Sequence, residues 1–166
     1  MQGQEKPKPE KPRLSEEERA ARRALNTPDN AIKALASARE CIRFLKPGSV
    51  WTKTSPRGEF EIKGSLMLEE SAVLALHFSP EDGSVLPKGL HGLTEAKPEV
   101  PALVQSQLTE VQKELEVLDG AEFREPESCW AVPVAYRNRI VGHLKVAADG
   151  RDILSDRKAV EEQIEV

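Results

Sequence analysis

Phe60-Glu-Ile-Lys-Gly-Ser-Leu-Met-Leu68, followed by Glu69-Glu-Ser71 and Ala72-Val-Leu-Ala-Leu-His-Phe78, is the stretch on which the fold of this chain turns. Phe60, Ile62, Leu66 and Leu68 alternate with Glu59, Glu61, Lys63 and Ser65, the period of a strand with one buried face. A three-residue loop at Glu69–Ser71 pairs Leu68 with Ala72, Leu66 with Leu74, Gly64 with Leu76 and Ile62 with Phe78. That register gathers every large apolar side chain on one face. A two-residue loop would send half of them into water, because a one-residue slip flips a strand's side chains.

A second hairpin passes the same test. With Arg137-Asn138-Arg139 as its loop, Tyr136 opposes Ile140, Val134 opposes Gly142, Val132 opposes Leu144 and Trp130 opposes Val146. Asn138 or Arg139 must then adopt a left-handed backbone, which Asn tolerates better.

Each hairpin follows an amphipathic helix. Thr27 reads as an N-cap with Pro28 at the first helical position, and Ala31, Leu35, Ala38, Ile42 and Leu45 recur at helical spacing up to Pro47-Gly48. Pro101 sits near the second start, and Val104, Leu108, Val111, Leu115 and Leu118 repeat the spacing up to Gly120. Each hairpin then runs to an Asp-Gly turn, Asp82-Gly83 or Asp149-Gly150, and a short apolar piece, Val85-Leu86 or Ile153-Leu154. Ser155 caps a last helix that turns Ala159, Val160 and Ile164 inward.

The expected fold is therefore α+β: an antiparallel sheet of about five to six strands, built on two three-residue-loop hairpins and covered on one face by two amphipathic helices. The order is α-β-β-β-α-β-β-α, with residues 27–166 as a single domain that reads as two αβββ-like halves, 28–87 and 101–154. Residues 1–14 alternate Lys, Glu and Pro as an extended tail, and Ser15-Glu16-Glu17-Glu18 opens a marginal, solvated helix within the tail segment 1–26. The uncovered sheet face is expected to carry Glu61, Lys63, Val73, His77, Val141, His143 and Lys145. This order of elements resembles the fold of type III secretion chaperones. At the level of topology that resemblance implies a cytoplasmic, often dimeric protein that binds partner polypeptides without catalysis.

Charge limits the partners. Residues 1–26 carry seven Lys/Arg against five Glu, while the remainder carries 17 against 23, so the folded part is acidic. An acidic core with four Phe, two Trp and one Tyr argues against nucleic acid, whose recognition rests on clustered cations. The longest aliphatic run, Ala72–Leu76, falls far short of the roughly 20 residues a bilayer crossing needs. The N-terminal residues lack the apolar stretch of a secretory signal, and Cys41 and Cys129 read as small buried hydrophobes, so a reducing cytoplasm is the consistent compartment.

Chemistry is harder to find. Gly48-Ser-Val-Trp-Thr-Lys53-Thr54 lacks the second Gly and the following helix that a phosphate-binding loop requires. No nucleophile elbow or dinucleotide fingerprint occurs, so no cofactor is expected and an enzyme is the lesser reading. The candidate binding residues are Lys88 and His91, in the long connector 79–99, with His77, His143 and Glu61 on the sheet. His77 and His143 would approach each other if the hairpins lay side by side, as metal ligands or as surface histidines. His77 with Glu61 would supply an acid/base pair. The leading expectation is a non-enzymatic adaptor that binds a protein partner or itself. The alternative is a small-molecule or metal-binding domain using the uncovered face and the 86–93 loop.

Overall fold

The computed structural model describes residues 13–54, 56–90 and 97–164. Residues 1–12 of the expected tail, and His91, lie outside them. The α+β class holds, with four helices and antiparallel strand pairs throughout the described residues. The strands divide into two four-stranded sheets. In the first, β1 (Lys46–Thr54), β2 (Phe60–Leu68), β3 (Ser71–Phe78) and β4 (Val85–Leu86) lie in sequence order. In the second, β5 (Leu115–Val117) and β6 (Glu122–Arg124) both pair with β7 (Cys129–Tyr136), and β8 (Arg139–Ala147) takes its other edge.

The halves repeat one plan. β5 and β6 together do for β7 what the single strand β1 does for β2, and Ile153 bridges Val146 much as β4 flanks β3. The repeat is also exchanged. Helix α2 (Pro28–Ile42) packs on β5, β7 and β8, whereas α3 (Val100–Lys113) packs on β1 and β2, so each helix covers the sheet of the other half. The Asp-Gly turns follow the same exchange: Gly83 tucks beside Val104 and Gln107 of α3, and Gly150 against Lys33 and Ala34 of α2. One buried cluster, including Ala38, Leu66, Leu76, Leu108, Val132 and Leu144, runs through both halves.

Both hairpins keep the expected pairing at their centres, Ile62 with Phe78 and Leu66 with Leu74, Trp130 with Val146 and Val132 with Leu144. Their ends differ from the sequence reading. The loops are two-residue turns, Glu69-Glu70 and Arg137-Asn138, and each register shifts one step inward, between Leu66 and Met67 and between Val134 and Ala135. A β-bulge moves the odd residue from the loop into the strand while leaving the core face intact. Val73 and Val141 are those extra residues, both 3% exposed. Arg137 and Asn138 carry the left-handed backbone, with φ of 48° and 67°, so Asn138 is as expected and Arg139 is not involved.

The helices stop earlier than their apolar spacing. α2 ends at Ile42 and Pro47-Gly48 lies inside β1; α3 ends at Lys113 and Leu115–Val117 is strand β5. Leu45 and Leu115 stay buried because the chain turns without leaving the core. The fully buried residues of α2 are Ala34, Ala38 and Cys41; Ala38 belongs to the expected stripe, and Ala31, Leu35 and Ile42 pack half-buried against the same core. Helix α1 (Glu16–Ala24) has the expected Ser15 cap, accepting from Glu18 N at 3.1 Å, and buries nothing. It is tied down by polar contacts, with Arg22 donating to the carbonyls of Glu125 and Pro126 at 3.2 and 2.7 Å.

The face expected to be uncovered is covered in part. Helix α4 (Arg157–Ile164) crosses it and contacts β3, with Ala159 and Val160 packing near Trp51, Ala72 and Met67. Lys63, expected at that surface, is 3% exposed. Cys41 and Cys129 are free and buried, and burial raises the Cys41 thiol to about 11, outside the range of a reactive thiolate. Among the described residues, no helix is long and apolar enough to cross a membrane.

Candidate functional site

Strands β3 and β8 abut where the two sheets meet. Gly142 permits the approach, since a Cβ there would fall 2.7 Å from Leu74 Cδ1. His77 on β3 and His143 on β8 thereby line one cleft, as the side-by-side reading of the hairpins required. The chain after β4 closes one end, because Lys88 N donates to Ile140 O at 2.9 Å and brings the Lys88 side chain over the cleft. Helix α4 closes the other, with Lys158, Ala159 and Glu162.

The cavity is about 250 Å³ and its charge is lopsided: Lys63, Lys88, Arg124, Lys145 and Lys158 line it against Asp156 and Glu162 alone. Both carboxylates are already engaged. Glu162 accepts from Trp51 Nε1 at 3.0 Å, from Lys63 Nζ at 2.7 and 2.9 Å, and from Lys53 Nζ at 3.2 Å. Burial alone would raise its pKa, but these hydrogen bonds outweigh burial and hold it at about 2. Asp156 accepts from Ala159 N at 3.1 Å, capping α4.

Lys145 is paired with Glu127 at 2.7 Å, and its hydrogen bond holds that carboxyl below the usual range. Lys88, Arg124 and Lys158 make no ion pair among the described residues. Lys88 Nζ lies 2.5 Å from His143 Nδ1. Burial and the neighbouring Lys88 and Arg124 charges press the His143 pKa down to about 4, so the imidazole is neutral at pH 7. An ammonium can only donate, so Nδ1 accepts and the ring proton resides on Nε2.

Three of the residues singled out in the sequence, His77, Lys88 and His143, thus line one cavity. Glu61 does not line it; its carboxylate lies 3.8 Å from Lys63 Nζ. The stretch Gly48–Thr54 belongs to strand β1, with no helix following it. Among the described residues no group of three or more His, Cys, Asp and Glu is placed to hold a metal ion, and a surplus of cations repels one.

Sequence reasoning missed Arg124 and Lys158 entirely. Lys145 had a signal, two residues from His143 on the same face of β8. Arg124 had none, because β6 is three residues long and its alternation is too short to read. Comparison with protein-family models, with curated proteins and with solved structures finds no match to this chain, so no neighbour supports the topological resemblance to secretion chaperones.

Proposed function

We propose that this chain is a binding domain that takes the anionic group of a small molecule into the cleft between β3 and β8. The observation that carries this reading is the convergence of Lys88, Arg124 and Lys158, unspent by carboxylates, on one cavity of a protein whose net charge is −4. Long-range attraction between an acidic protein and an anion is unfavourable, so a local concentration of unpaired cations marks a place where charge complementarity is supplied by a ligand. A cavity of about 250 Å³ admits a compact phosphate or carboxylate group.

Titration with inorganic phosphate and with citrate, followed by thermal unfolding, tests this. A ligand that binds only the native state raises the midpoint with concentration. The expected result is a saturable rise that R124Q/K158Q removes and that weakens with added sodium chloride. An identical response in wild type and double variant would overturn it.

A second reading, an adaptor that binds a protein partner or itself, is favoured by Ile32 and Phe44, which are 65% and 60% exposed. Light scattering over a range of concentrations, with an I32S/F44S variant as the comparison, tests self-association. A strict monomer at every concentration removes that half of the reading.

A further inference from the structure

Lys63 and Lys88 line the same cavity and have opposite circumstances. Lys63 is 3% exposed and its nitrogen is engaged by Glu162 at 2.7 Å. Lys88 is solvent-accessible, makes no ion pair among the described residues, and has as its nearest partner a neutral base, His143 Nδ1, at 2.5 Å. Its backbone is anchored on both sides, by Lys88 N donating to Ile140 O at 2.9 Å and Leu90 N to Pro87 O at 3.1 Å. The amine is therefore held in place by its hydrogen bond to a neutral ring nitrogen, beside Arg124 and Lys145, which disfavour its charge.

We propose that Lys88 is a nucleophilic amine that captures anionic carbonyl compounds, such as 2-oxo acids or phosphorylated aldehydes, as a reversible imine. The proposal rests on the anion-binding reading: Arg124 and Lys158 hold the carboxylate or phosphate, and the carbonyl carbon is presented to Lys88. The ammonium loses one proton to solvent, since an imidazole held at about 4 is too weak a base to take it, and the freed nitrogen lone pair attacks the carbonyl carbon, forming a C–N bond as the C=O π electrons move to oxygen. Proton transfer gives the carbinolamine. Its hydroxyl then leaves as water with a proton returned from solvent, and the C=N bond forms. One ammonium and one carbonyl compound yield one protonated imine and one water, with no oxidant or reductant consumed. Lysines made nucleophilic by partial burial and a cationic neighbour are an established route to such imines. Burial, then the Arg124 and Lys145 charges, lower the Lys88 pKa in this direction.

The test is reductive trapping on the full chain. Protein is incubated with glyoxylate or pyridoxal 5′-phosphate and cyanoborohydride, and labelling is mapped by mass spectrometry over all 12 lysines. The expected result is Lys88 labelled several-fold faster than exposed Lys113, slowed by H143Q and by inorganic phosphate, with labelling elsewhere unchanged. Labelling of Lys88 no faster than of Lys113 overturns the proposal, and if phosphate still raises the thermal midpoint, the binding reading survives it. Equal labelling of Lys88 by glyoxylate and by neutral propanal, with no protection by phosphate, overturns the requirement for an anion and the binding reading with it.

Discussion

Lys63 Nζ sits 2.7 Å from one oxygen of Glu162 and 2.9 Å from the other, with the two side chains only 4% and 11% exposed. The pair joins the centre of the first sheet to the last helix, whose apolar cluster on that face takes in Trp51, Met67, Ala72 and Ala75. An eight-residue helix has little stability of its own. E162Q, which leaves the buried Lys63 ammonium with only the Glu61 carboxylate, 3.8 Å away, is expected to lower stability at pH 7 by about 3–5 kcal/mol in urea denaturation. The paired change K63M/E162L should cost less than either single change, because the two charges in closest contact are removed together.

The same pair sets an acid limit. The Glu162 carboxyl is held at about 2 in the folded chain against 4.5 for a free side chain, so the unfolded state binds its proton more readily. The stabilisation is complete above pH 4.5 and is lost as pH falls toward about 2. Denaturation curves at a series of pH values should show the gap between wild type and E162Q closing across that window, whereas a constant gap would count against the pairing.

His143 predicts a second titration of the same sign at higher pH. Its folded pKa of about 4 lies below the ordinary 6.5, so the unfolded state takes up the proton first, and this residue's effect is to reduce stability as pH falls from 6.5 to about 4. Proton NMR should follow its Cε1–H through a midpoint near 4. K88M removes one of the two neighbouring positive charges that lower it and should raise that midpoint, and saturating phosphate should raise it too. A midpoint unchanged by both treatments would show that the cleft's cations do not act on the ring.

How far the fold could be read follows from which alternatives the chain leaves open. The central pairs Leu66 with Leu74 and Val132 with Leu144 were legible because any other register wets a row of large apolar side chains. The turns were not, since a three-residue loop and a two-residue turn with a bulge produce the same central register. Leu115 fits a helical stripe and a buried strand equally well, so the end of α3 was invisible to spacing alone. His77, Lys88 and His143 could be picked out individually, but their meeting depends on the seam between β3 and β8. The covering of that face by α4 hinges on Lys63 finding Glu162, 99 residues away, and both read from sequence as ordinary surface charges.

The exchange of helices between halves makes Gly150 a sensitive position. With φ of +80°, an added Cβ would lie 2.6 Å from Lys33 Cβ and 2.8 Å from Asn30 O, so any side chain pushes α2 off the second sheet. G150A is expected to cost about 1–3 kcal/mol from overpacking beyond the backbone penalty of a left-handed residue. Gly89 provides the control, since its φ is +88° and nothing lies within 4 Å of the same added atom. G89A should therefore lose only the backbone term, about 1–2 kcal/mol. Equal losses at the two positions would mean that the contact with α2 carries no weight.

The second hairpin's turn offers a gain instead of a loss. Arg137 and Asn138 both have positive φ, the backbone of a two-residue turn whose twist suits antiparallel strands, and Gly is the residue best fitted to its second position. Asn138 there has a side chain that costs energy in the left-handed region and, among the described residues, makes no hydrogen bond or ion pair. N138G should raise stability by about 0.5–1 kcal/mol, with the relief of strain exceeding the added entropy of the unfolded chain. R139G separates the two possible loops: residue 139 in the structure is the first strand residue of β8, paired with Tyr136, so glycine there removes strand propensity and destabilises. Had the loop been three residues long with Arg139 left-handed, the same change would stabilise. Thermal unfolding of N138G and R139G side by side therefore decides between the bulged and the unbulged hairpin by the sign of the shift alone.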